Sequence, residues 1–205
     1  MGIQIFLLIL IPLFTACCWK PPVDLQTGDL IFQISRSAQS KAIQQATHSP
    51  YSHVGMILIR NGRPYVYEAS LNVHFIPLGL WVMKGVQGEY VVKRLKKSRE
   101  VLTPDRLKRL EQEAVSHRGK LYDYRFAWND ERMYCSELVW KIYERSIGLR
   151  IGDPRPLKEY DLGSPALRSK LTERYGGKIP LEEPMISPAA LYYSDLLETV
   201  AMGGK

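Results

Sequence analysis

Apolar and polar positions change period several times along the chain, and each change marks an element. Ile3 to Phe14 is an almost unbroken apolar run, interrupted by Gln4 and Pro12. Pro21-Pro22 then opens a region of a different kind. After the turn residues Thr27-Gly28-Asp29, Leu30 to Ile34 is a short apolar run suited to a buried strand. Ala38, Ala42, Ile43 and Ala46 recur at helical spacing and predict a short helix over Ser37 to Thr47. Two strands, His53 to Ile59 and Pro64 to Ala69, flank Arg60-Asn61-Gly62-Arg63. Asn-Gly is a strong hairpin signal, because both residues tolerate the positive φ of a type I′ turn. Tyr90 to Leu95 reads as a further strand. Thr103 as cap and Pro104 in the first turn start a helix that runs to about His117 and stops at Gly119.

Cys135, Leu138, Val139 and Ile142 follow the i, i+3, i+4, i+7 pattern of one buried helix face. The turn residues Asn129-Asp130 precede them, which puts Cys135 in or near the first turn. Beyond Gly152 the chain is Pro-rich and irregular, with a short helix near Leu167 to Tyr175 and another opened by Ser187-Pro188. No repeat and no linker divides it. The expected class is α+β, with one domain over residues 21–205.

Composition agrees with a globular core: 205 residues, 45 % hydrophobic and 24 % charged. The three cysteines cannot build a disulfide framework, and two of them, Cys17 and Cys18, are adjacent near the N-terminus. That leaves Cys135 alone in the body of the chain and excludes a structural zinc site made of cysteines.

The apolar run is too short for a comfortable membrane span and suits the hydrophobic region of a secretory signal. It ends in Leu13-Phe14-Thr15-Ala16-Cys17-Cys18, small residues followed by cysteine. This resembles a bacterial lipoprotein box, which implies lipidation of Cys17 and a signal segment over residues 1–18. A soluble secreted form and an uncleaved anchor are the alternatives. The expected location is the bacterial cell envelope, as a membrane-anchored, periplasm-facing lipoprotein or as a secreted or periplasmic protein.

A net charge of +7 suggests an anionic partner. Eight Lys or Arg lie between Lys93 and Arg109, without interleaved aromatics, which argues against nucleic acid. A solvated face is the plain reading of this run, and attraction to an anionic lipid surface is the functional alternative.

The hairpin register brings chemistry together. A turn centred on Asn61-Gly62 pairs Arg60 with Arg63, Leu58 with Tyr65 and Gly55 with Glu68. His53, Gly55 and Ile57 share a face, and Glu68 lies on that face diagonal to His53. Diagonal neighbours are roughly 7–8 Å apart at the backbone, within reach of long side chains, and Gly55 puts nothing between them. Each residue alone has an ordinary structural reading, as a core histidine, a solvated carboxylate and a packed thiol. Together they describe a Cys–His–Glu hydrolase. A helix N-terminus and an imidazole favour the thiolate of Cys135, His53 moves the proton, and Glu68 orients the imidazole. His48, at a helix end, faces solvent, and His74 and His117 have no partner predicted by spacing. A zinc site from His48, His53 and Glu68 matches no trusted ligand spacing, so neither a metal nor a cofactor is expected.

Four segments carry a family resemblance: Thr27-Gly28-Asp29-Leu30-Ile31-Phe32-Gln33, Tyr51-Ser52-His53-Val54-Gly55-Met56, Tyr65-Val66-Tyr67-Glu68-Ala69 and Tyr134-Cys135-Ser136-Glu137-Leu138-Val139. Their order, His then Glu then Cys, resembles the YiiX-like family of permuted papain-fold cysteine hydrolases, amidases and peptidases within the NlpC-type superfamily. The resemblance spans about Thr27 to Ser187. It implies an antiparallel sheet packed against the helix of Cys135, with Cys135 as nucleophile, His53 as base and Glu68 as third member. Gly119-Lys120-Leu121-Tyr122 is similar to the Gly-x-x-Tyr segment of NlpC-type enzymes, which implies Tyr122 at the substrate site. The loop from Asp123 to Arg132 is a natural wall of the cleft.

The expected reaction is hydrolysis of an amide, in a small peptide or an acylated amine, through a thioester. Lipid deacylation or acyl transfer and a non-catalytic binding module are the alternatives. Leu78, Leu80, Trp81 and Val82 could line a lipid groove or belong to the core. The shape of the cleft beside Cys135 separates the substrates, since a polar pocket favours the amidase and a long apolar one favours lipid.

Overall fold

The structure, a computed structural model, describes residues 24–204. Its centre is a six-stranded antiparallel sheet in the order β10-β5-β1-β2-β3-β4. The strands are β1 (Leu30–Gln33), β2 (His53–Arg60), β3 (Arg63–Ala69), β4 (Val73–Pro77), β5 (Tyr90–Leu95) and β10 (Leu197–Gly203). Two short pairings flank it: β6 (Leu121–Tyr122) parallel to β7 (Arg132–Met133), and β8 (Arg155–Pro156) antiparallel to β9 (Pro184–Met185). The helices are α1 (Ser40–Thr47), α2 (Leu78–Lys84), α3 (Ser98–Val101), α4 (Pro104–Ser116), α5 (Cys135–Ile147), α6 (Pro165–Tyr175) and α7 (Pro188–Tyr192).

Central β1 is apolar on both faces, and its alternation divides the core. Leu30 and Phe32 point to the layer formed by α4 and α5, where they join Val54, Met56, Leu138, Val139 and Ile142. Ile31 points to the opposite layer with Ile57, Val66 and, from α2, Leu78 and Trp81. A smaller cluster stands apart from both and joins Ala42 of α1 to Leu167 and Leu171 of α6.

The β2–β3 hairpin turns as expected. Asn61 and Gly62 have φ of 50° and 70°, and the register runs from Arg60 opposite Arg63 to Met56 opposite Tyr67. Thr103 caps α4, its hydroxyl accepting from the Arg106 N–H at 3.4 Å. Tyr134 precedes α5, and its N–H donates to Glu137 Oε2 at 3.3 Å, so Cys135 is the first helical residue.

Of the elements that were not anticipated, three shape the sheet and the site. β4 follows β3 after a short turn, β10 closes the far edge of the sheet, and Leu78 to Lys84 is helical. That helix settles the apolar stretch: Leu78 and Trp81 are buried core, while Leu80 is exposed. The basic run also divides. Lys93 donates to the Tyr192 carbonyl, and Arg94 forms a fork on buried Asp29, with both N···O distances 2.7 Å. Lys96, Lys97, Arg99, Arg106, Lys108 and Arg109 are exposed. Among the described residues, no helix is long and apolar enough to cross a membrane. Cys17, Cys18 and the rest of the signal segment lie outside the described residues.

Candidate active site

Cys135 and His53 come from opposite layers and meet at one end of the sheet. His53 is the first residue of β2 and pairs with Gln33 at the end of β1. Its Nε2 lies 2.6 Å from Glu68 Oε2. That leaves Nδ1 for Cys135, whose thiol lies within interaction range. Gly55 lets β2 and β3 pack closely behind the pair, because a Cβ there would stand 2.3 Å from Val66 Cγ1 and 3.2 Å from the Tyr67 carbonyl oxygen.

Glu68 is 1 % exposed and holds more than the histidine. Trp81 Nε1 donates to the same Oε2 at 2.8 Å, and the indole stacks on the His53 ring with centroids 5.9 Å apart. Lys84 Nζ donates to Oε1 at 3.3 Å, and His74 Nε2 is 3.6 Å from that oxygen. The expectation that His74 has no partner is therefore corrected, since it stands opposite Glu68 on β4. His117 is likewise partnered, by Glu113 one helical turn earlier at 2.9 Å. His48 is exposed beside Asp161, away from the site.

The charges follow from this geometry. Burial alone would raise the carboxyl of Glu68, but His53, Lys84 and Trp81 outweigh it and hold its pKa at about 2. Burial opposes charge on His53 too, yet Cys135 and Glu68 raise its pKa to about 10. The Cys135 thiol is 3 % exposed, and burial pushes its pKa up. His53 and backbone hydrogen bonds at Val54 and Ser136 reverse that, so the net shift is downward. Both shifts favour charge separation between the thiol and the imidazole.

Tyr122 lines the same space as Cys135. Parallel pairing of Tyr122 with Met133 sets it beside the strand that runs into Cys135. Its buried phenol accepts from Gln39 Nε2 at 2.8 Å, and burial keeps it protonated. The loop from Asp123 to Arg132 forms a wall, folded by Asp123, which accepts from the Arg125 and Ala127 N–H groups at 2.8 and 2.6 Å. Buried Phe126, from this loop, lines the space beside Cys135.

That space has two parts. One holds Cys135 and Ser136 and is walled by apolar side chains of α1 and α6. The other holds His53 and Glu68 and is walled by Ser35, Ser37, Ser52, Lys84 and other polar residues. Gln39, Tyr122 and Arg174 line both parts, so the two adjoin.

The missed residues are Trp81, Lys84 and His74. Their signal was the approach of β4 and α2 to Glu68, which the unforeseen elements hid.

Residues 24–201 match the family described as permuted papain-like amidase enzyme, YaeF/YiiX, C92 family. The chain is 50 % identical over 195 residues to the Uncharacterized protein YiiX of Escherichia coli K12, covering 95 % of this chain and 92 % of that one. A crystal structure from Escherichia coli O157:H7, described as metalloprotein yiiX, superposes with a TM-score of 0.84 at 49 % identity. It covers 91 % of this chain and 100 % of the other.

Proposed function

The chain belongs to the C92 family of permuted papain-like amidases, and on that premise we propose that it cleaves an amide bond through Cys135, His53 and Glu68. The observation that carries the reading is the His53 ring, bonded through Nε2 to buried Glu68 and paired on its other side with the Cys135 thiol. Sγ attacks the carbonyl carbon, and the oxyanion takes the N–H of Cys135 at the start of α5. The imidazolium then gives its proton to the leaving nitrogen, the C–N bond breaks, and a thioester remains. His53, now neutral, takes a proton from water as the water attacks that thioester. The acid leaves, and thiolate and imidazolium are restored. Glu68 holds the ring and its charge throughout, and Tyr122 contacts the substrate.

The solved relative is described as a metalloprotein. Among the described residues of this chain, no three His, Cys, Asp or Glu side chains converge on a metal position. Cys135 and His53 offer two donors, and Glu68 lies beyond the imidazole. The donor set does not fit a resident metal, and no step here uses one.

Replacing Cys135 with Ala is expected to abolish both hydrolysis and labelling by a thiol-directed probe. Hydrolysis that survives in the Ala variant would sink the assignment. The enzyme is placed in the cell envelope through lipid on Cys17. Mass spectrometry of the mature N-terminus should find that modification, and an unmodified terminus beyond Cys18 contradicts it.

A further inference from the structure

We propose that Trp81 is a positioning residue for the His53–Glu68 pair, its indole fixing both the carboxylate oxygen that His53 uses and the plane of the imidazole. This rests on the cysteine hydrolase reading and adds a member to its machinery. The backbone alone does not hold the pair together. Pairing between β2 and β3 runs from the turn only as far as Met56 opposite Tyr67, so His53 lies beyond the last paired position. Side-chain contacts therefore set the geometry, and α2 brings them. β4 pairs with β3 so that His74 stands opposite Glu68, and α2 follows β4 directly, which returns the chain over the carboxylate.

Both oxygens of Glu68 are assigned by residues of that one helix. Lys84 Nζ donates to Oε1 at 3.3 Å, which leaves Oε2 for the imidazole. Trp81 Nε1 donates to Oε2 at 2.8 Å, beside His53 Nε2 at 2.6 Å. The indole plane lies within 24° of the imidazole plane, with centroids 5.9 Å apart, so it limits the tilt of the ring as well. Trp81 is fully buried among Ile31, Ile57, Val66 and Leu78, which anchors the constraint in the core rather than in a loop. A side chain that only filled this core would need no donor. This one gives its single N–H to the carboxylate that holds the imidazole. The positive end of that N–H dipole also sits beside Oε2, so its loss should raise the pH at which His53 gives up its proton.

The test follows the acetyl adduct of Cys135 by intact mass after treatment with 4-nitrophenyl acetate. Adduct formation needs the thiolate only, because 4-nitrophenolate leaves without a proton. Release needs His53 to take a proton from the attacking water. Acetylation removes the charge on sulfur, so release rises with pH as His53 becomes neutral. The groups that face His53 in that titration are Cys135 of α5 and Glu68 of β3, with Lys84 of α2 and His74 of β4 behind the carboxylate. Trp81→Phe keeps an aromatic ring and lacks the N–H. Its plateau rate of release should fall at least about tenfold, by more than its rate of adduct formation, and the rise should move to higher pH. Release with the wild-type plateau and pH dependence overturns the proposal and leaves the hydrolase reading standing. So does an equal fall in both steps. Should Trp81→Phe fail to fold, Trp81→benzothienylalanine keeps the ring outline and puts sulfur in place of the N–H. The rise should again move to higher pH, and an unmoved rise overturns the proposal. A wild-type protein that fails to form or to release the adduct defeats the hydrolase reading, and the proposal with it.

Discussion

Two carboxylate oxygens of one side chain, Glu68, serve four neighbours, and this crowding sets the chemistry of the site. Replacing Glu68 with Gln removes the charge that His53 leans on. Activity is expected to fall by about 10²-fold or more, with the imidazole pKa dropping, as a kinetic pH profile would show. Because its folded pKa of about 2 lies below the ordinary 4.5, Glu68 stabilises the fold fully above about pH 4.5 and loses that contribution as pH falls towards 2. The stability gap between wild type and Glu68→Gln should therefore close in acid; a gap that stays constant contradicts the pairing. Alkylation of Cys135 should show an apparent pKa below the reference thiol value of about 8.5, while catalysis should decline in alkali as His53 deprotonates near pH 10. A thiol titrating at its ordinary value would argue for an inert packed cysteine. His53 and Glu68 were legible as a pair because a two-residue turn fixes the register of every residue behind it. Trp81 and Lys84 were not, since neither helix spacing nor turn chemistry tells a short apolar segment which carboxylate it will cover.

At the scale of elements, the hairpin and α5 could be read locally, and the sheet edges could not. β10 pairs with β5 across about a hundred residues, Leu197 standing opposite Leu95, and no local pattern announces such a partner. The hairpin's own weak point is Gly55. A methyl group there meets Val66 within the packed α2 layer, so Gly55→Ala should cost about 1–3 kcal/mol in a denaturant melt and loosen the His53–Glu68 contact. The fork between Asp29 and Arg94 ties the start of β1 to β5. Replacing Arg94 with Ala strands a buried carboxylate and is expected to cost about 3 kcal/mol, measured the same way. Two residues of the basic run are thus fasteners, Arg94 between β5 and the start of β1 and Lys93 between β5 and α7, and only the exposed remainder of that run is free to meet an anionic surface.

On the scale of the whole molecule, the candidate triad was legible and the pocket between α1 and α6 was not. α1 and α6 are more than a hundred residues apart, and the pocket exists only once they pack. The order of the parts has a further consequence, which belongs to biosynthesis. β1 to β5 all precede Cys135 in the chain, so a growing polypeptide carries its histidine and carboxylate well before its reactive sulfur is made. An unpermuted chain would release the nucleophile first and leave it waiting for its partner. Here the thiol arrives on a helix whose docking surface has already been synthesised, which shortens its exposure to oxidants as a lone thiolate.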